Sequence, residues 1–185
     1  MFFPRALFSV FAVGAIAAIA APSAVVEKRE DISDVLAIVG TLKASTDSIL
    51  PQIDNLVNSD TATEANLSPL LQDLSASINS GATSLEALRG KVDSSSGGTE
   101  EQVAEEVAVI YTDVAHSLDN LKKKKPHLYP LVPKFGLDAA LLKLLLGLQL
   151  VLAGVIKLLA VLLKAVGGLL SGLGFTLILL LLGLF

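Results

Sequence analysis

Few residues in this chain have the type and spacing to do chemistry. His116 follows Asp113 by three, so both can share one helix face. A di-metal carboxylate bundle needs two such units and two further inward carboxylates, and only one Asp-x-x-His is present. Glu100, Glu101, Glu105 and Glu106 have ligand chemistry, but they open a helical pattern, where the helix dipole favours acids on the surface. Lys122 to Lys125 carry charge suited to anionic lipid or nucleic acid. They lack interleaved aromatics and close a helix, so they read as a helix-end charge run. His127 and Tyr129 lie in a proline-rich connector and are expected to pack there. The chain has no cysteine, which excludes thiol nucleophiles and thiolate metal sites. No nucleophile elbow, P-loop or dinucleotide glycine fingerprint occurs. The expectation is therefore no catalytic residue, no metal, no cofactor and no enzyme.

These residues belong to helical segments. The first, about 31–58, has the seam Ile32, Val35, Val39, Leu42, Thr46, Ile49, Ile53 and Leu56. Its steps of three and four keep one stripe facing a neighbour, and Pro51 should kink it. The second, about 61–92, is expected to start on a Thr61/Glu64 capping box, with Ser68-Pro69 as a rival start. Its seam is Leu67, Leu71, Leu74, Ile78, Gly81, Leu85, Leu88 and Val92. "DSSSGG" then reads as a flexible loop. The third starts on a Thr99/Gln102 box, with the seam Val103, Val107, Ile110, Val114, Ser117 or Leu118, and Leu121. Each of the three has a single apolar stripe, which a common partner must cover.

The fourth segment, 137 to about 170, is apolar nearly all round. On a wheel with Lys143 at zero, Lys157, Lys164, Gln149 and Asp138 fall in one sector about 140° wide. Ala140, Gly147, Gly154, Val161 and Gly168 recur by sevens, a stripe that lets another backbone approach. The lysines of the polar sector would meet neighbouring carboxylates or reach water. The predicted fold is all-α: three amphipathic helices around a long, strongly apolar fourth helix, with an apolar tail at 171–185. "GGLLSGLG" is expected to be a flexible bend that lets residues 175–185 fold back.

Ala165 to Phe185 are 21 uncharged residues, long enough to span a bilayer. The flanking Lys157 and Lys164 lie on the wrong side for a stop-transfer helix behind a signal peptide, and glycines break the run. A glycolipid-anchor signal lacks its polar spacer. Burial against the bundle and partial exposure to a greasy surface are the readings preferred.

Apolar residues make up 52% of the 185 and charged ones 17%. From Glu30 to Leu121 there are 16 acidic and 3 basic residues; from Lys122 onward there are 8 basic and 1 acidic. The halves should attract each other, the preferred reading, or the basic half should seek an anionic partner. Residues 1–20 read as a secretory signal peptide cleaved after Ala20. Residues 21–29 read as a short pro-segment ending in the dibasic pair Lys28-Arg29, leaving a domain at 30–185. Asn66-Leu67-Ser68 is an N-glycosylation sequon, weakened by Pro69.

The signal, "EKRE", three Ser/Ala-rich helices without cysteine, and "KKPHLYPLVPKFGLDAALLKLLLGLQLVLAGVIKLLAVLLK" together resemble small secreted proteins of mushroom-forming fungi, which bring no known activity. Hydrophobins are excluded by the missing cysteines. The architecture is remotely similar to the hydrophobic-surface-binding proteins of filamentous fungi, which implies adsorption to hydrophobic solids. This chain departs from them in its more apolar C-terminal third. The expected function is a secreted or cell-surface protein that binds or coats hydrophobic surfaces, cell wall or lipid. Its contacts would be Leu144, Leu148, Val151, Val155, Leu158 and Leu162, with Phe175, Leu179, Leu182 and Phe185 of the tail. Self-association is a further expectation; no nucleic acid or small substrate is. The alternatives are a membrane-associated protein held by its tail and a carrier with lipid between its helices.

Overall fold

The structure is a computed structural model and describes residues 30–184. The expected signal peptide, the expected cleavage positions Ala20 and Lys28-Arg29, and Phe185 lie outside the described residues. Three long helices come first: α1 (Ile32–Asn58), α2 (Glu64–Ala87) and α3 (Glu100–Lys124). Each opens on a reciprocal cap in which a side-chain oxygen takes a helix N–H and the third helical residue reaches back. The pairs are Asp31 with Asp34, Thr63 with Asn66, and Thr99 with Gln102. The expected Thr61/Glu64 start of the second helix is therefore displaced by two residues. Asn66 supplies the reach-back carbonyl at 2.7 Å from the Thr63 amide. Thr61 is instead consumed in ending α1, donating its amide to the Leu56 carbonyl while Asp60 takes a left-handed conformation. Pro51 stays inside α1 on its exposed side.

The seams are buried as the spacing predicts except at two ends: Val57 replaces the half-buried Leu56, and α2 stops at Ala87, leaving Leu88 and Val92 half-buried beyond it. Leu67, Leu71, Leu74, Ile78 and Leu85 of α2 and Val103, Val107, Ile110 and Val114 of α3 are closed to solvent. Helix α2 runs antiparallel to α1, with Leu42 against Gly81. Helix α3 runs parallel to α1, with Asn120 donating to Asp54 near their C-terminal ends. The loop before α3 is fixed by a two-residue parallel pairing, β1 (Glu30–Asp31) with β2 (Val92–Asp93). The loop is not free: Gly97, at φ +80°, sits where a Cβ would lie 2.3 Å from Asp31 Oδ1.

The fourth segment is not one central helix. After a turn of helix α4 (Leu131–Lys134) it forms α5 (Leu137–Val151), breaks at Leu152–Gly154, and continues as α6 (Val155–Leu162), a 3₁₀ turn (Leu163–Val166) and α7 (Gly167–Gly172). Leu152 is extended at the break. The halves form a hairpin. Helix α5 descends along α2, with Lys134 paired to Glu64 at one end and Gly147 against Ala82 and Leu85 at the other. Helix α6 returns along α3, with Gly154 beside Glu100 and the Gly172 carbonyl bonded to Lys122. A straight continuation would overrun the bundle. A 34-residue helix would span roughly 50 Å, about 10 Å more than α1. Folding back keeps Leu152, Val155, Leu159, Leu163 and Leu170 inside the core. The bend expected at 167–174 is also narrower than predicted. Gly167–Gly172 is helical and the reversal is confined to Leu173–Gly174, with Gly174 at φ +81°. Helix α8 (Thr176–Leu182) then packs on both arms of the hairpin, α5 and α6.

Candidate interfacial surface

The residues expected to meet a hydrophobic surface are mostly core. Leu144, Leu148 and Val155 are fully buried, and Phe175, which precedes α8, and Leu179 and Leu182 of α8 are nearly so. Val151 and Leu158 are half-buried. Leu162 is exposed, on the α3 side, where it borders Glu105, Val109 and Asp113. The correction has a simple cause. The chosen stripe is the seam of the hairpin toward α2 and α3, because the segment is a wall of the bundle and not its centre.

The apolar residues that do face water lie elsewhere on the same elements. They are Leu146 and Leu150 of α5, Val161 of α6, and Leu177 and Leu180 of α8. Val161 is 74% exposed and Leu180 68%, the highest among the exposed large hydrophobic residues. A signal for them was present. Leu146 and Leu150 fall three and seven residues after Lys143, within the lysine sector of the wheel, and Val161 falls four after Lys157. A polar sector marks the water-facing side: Leu146 and Leu150 within it are exposed, and Leu142, also within it, is half-buried.

Lys143, Lys157 and Lys164 are exposed on these helices, and among the described residues none joins an ion pair. The stripe of small residues works only in its first half. Ala140 is buried and Gly147 is buried against α2, whereas Val161 is exposed and Gly168 faces open space.

The other chemistry-bearing groups are occupied locally. The lysine run at the end of α3 is divided among four partners. Lys122 donates to the Gly172 carbonyl, Lys123 pairs with Asp119 at 2.6 Å, Lys124 donates to Asn58 at 2.6 Å, and Lys125 pairs with Asp60. Lys122 also lies 4.8 Å from the centre of the Tyr129 ring, and Tyr129 donates to the Leu173 carbonyl. The connector thus clamps the turn before α8. His127 is exposed. Asp113 and His116 are exposed along a groove between α1 and α3 that also takes in Asp54 and Asn120. Among the described residues no group of three or more acids and histidines is placed to hold a metal. Tyr111 is fully buried and donates to the Leu141 carbonyl at 2.5 Å; burial, with Asp138 adding, holds its phenol well above its ordinary ionisation range. The amide of Asn66 is engaged at both ends, its Oδ1 by Thr63 and its Nδ2 by the Thr61 carbonyl at 2.9 Å.

No protein-family model matches the chain. Over 60 residues, 32% of its length, the chain is 40% identical to "Fruiting body differentiation protein 16" of Flammulina velutipes, a mushroom-forming fungus. The match spans 47% of that relative, so the chain covers about half the length of the curated protein it resembles.

Proposed function

We propose that this is a secreted, non-enzymatic helical protein that adsorbs to hydrophobic surfaces, whether cell wall, wax or lipid, through the outer face of the hairpin and α8. The observation that carries the reading is the exposure of Val161 and Leu180 on packed helices whose inner faces are already satisfied. Isolated exposed leucines are ordinary; several on adjoining apolar elements, in a chain with few charges to spare there, favour a contact surface. The similarity to a protein of a mushroom-forming fungus supports a fungal setting for that surface. Adsorption of the purified protein to polystyrene beads without detergent tests it. Saturable uptake that falls when Leu150, Val161 and Leu180 are changed together to Ser is the expected result. Uptake unchanged by the triple variant would sink the reading.

One observation favours a second reading, a protein held in a membrane. Val155–Gly172 is an 18-residue stretch apolar and long enough to cross a bilayer, and most of it lies outside the core. Carbonate extraction separates the two: an adsorbed protein is released and a spanning one stays in the pellet.

A further inference from the structure

We propose that the exposed face carrying Lys143, Lys157 and Lys164, interleaved with Leu150, Val161 and Leu180, docks in the headgroup region of an anionic lipid bilayer. The proposal rests on the adsorption reading above and names its partner. From Ala139 to Leu184 these three lysines are the only charged side chains. A face kept soluble by ordinary surface charge would carry both signs, as α1 and α3 do. Each of the other lysines from 122 to 134 is spent on a carboxylate, carbonyl or amide of this chain; these three are not.

The spacing fits a lipid interface. Leu150 lies seven residues after Lys143, and Val161 lies four after Lys157 and three before Lys164, so cation and apolar side chain share a face. At a bilayer the apolar groups enter the acyl boundary while the lysine stems run up to the phosphates. A bare hydrophobic solid would gain nothing from the lysines. The borders of the face are acidic: Glu100 beside Gly154, and Glu105 and Asp113 beside Leu162. Residues 30–121, with 16 acids against 3 bases, would be repelled by an anionic leaflet. Presenting the lysine-bearing sides of α5 and α6 brings cations to the membrane, whereas presenting α1 or α2 brings mainly acids.

Each lysine at an anionic leaflet contributes about fivefold in partitioning, and three contribute on the order of a hundredfold. The purified protein is tested by flotation with vesicles of phosphatidylcholine alone and of phosphatidylcholine containing phosphatidylglycerol, with polystyrene beads in parallel. The expected result is partitioning to the anionic vesicles on the order of a hundredfold stronger, weakening as salt rises. Lys143→Gln, Lys157→Gln and Lys164→Gln together should remove that preference while helix content and bead adsorption persist. Equal partitioning to both vesicles, or a preference retained by the triple variant, overturns the proposal and leaves the adsorption reading standing. A wild-type protein that adsorbs to neither beads nor vesicles overturns the adsorption reading itself.

Discussion

Gly147 and Gly154 stand seven residues apart in the same stripe of small side chains, and the fold gives them opposite tolerance for a methyl group. A Cβ on Gly147 would lie 3.2 Å from Leu85 Cβ and 3.3 Å from the Ala82 carbonyl, both fixed to a packed helix. Gly147→Ala is expected to push α5 off α2 and cost about 1–3 kcal/mol. At Gly154 the Cβ would meet only the Glu100 carboxylate, the free end of a flexible side chain, and the backbone is already right-handed. Gly154→Ala is expected to hold or gain roughly 0.5 kcal/mol. Urea midpoints of the two variants check this, and equal losses at both would contradict it. The spacing by sevens was legible in the sequence; which glycine met a backbone was not, because that depends on where the chain reverses. A second prediction concerns the two tyrosines, both raised by burial, Tyr111 far more. Because Tyr111 stays neutral when folded, it stabilises the fold fully below about pH 10, where the unfolded phenol ionises, and that stability is lost as pH rises further. Phenolate absorbance from Tyr111 should therefore appear together with loss of helix in an alkaline titration. Two phenolates formed while the helix signal is intact would show the buried hydroxyl to be accessible.

At the scale of elements, the three amphipathic helices were readable because their burial repeats every three or four residues and their starts carry side chains that can cap. The third start, Thr99 with Gln102, needed nothing else. The second was misplaced because Thr61 and Thr63 both have a partner three residues on, and local pattern cannot rank Glu64 against Asn66. Tertiary structure decides it: the end of α1 takes the Thr61 amide, and Thr63 is left to start α2. Thr63→Ala should cost about 1 kcal/mol in chemical denaturation, while Thr61→Ala, whose backbone role survives the change, should cost little. The reverse order would restore the predicted start. The same cap bears on the sequon. One Nδ2 hydrogen of Asn66 is bonded to the Thr61 carbonyl, so a glycan that keeps this bond has only the other hydrogen to replace.

For the molecule as a whole, the all-α class and the acidic and basic halves were plain from composition, but the hairpin was not. Gly154 closes the break, but Gly147 of the same stripe sits inside α5, so residue type alone did not mark where the chain reverses. The tail then becomes a structural element. Phe175, Ile178, Leu179 and Leu182 are buried on the hairpin, while Leu177 and Leu180 face out. Fully burying a large apolar side chain contributes about 1.5–3 kcal/mol, so the four together approach the whole stability of a typical domain. Deleting residues 175–185 should therefore abolish cooperative unfolding and open to water the sides of α5 and α6 that α8 packs against. Leu177→Ser with Leu180→Ser should leave the unfolding transition in place and lower adsorption to a hydrophobic solid. The pair of variants separates two roles that the bare apolar run could not distinguish. A deletion that still unfolds cooperatively would mean the hairpin buries its leucines without α8. An adsorption unchanged in the double variant would move the contact surface off α8 and onto the lysine-bearing faces of α5 and α6 alone.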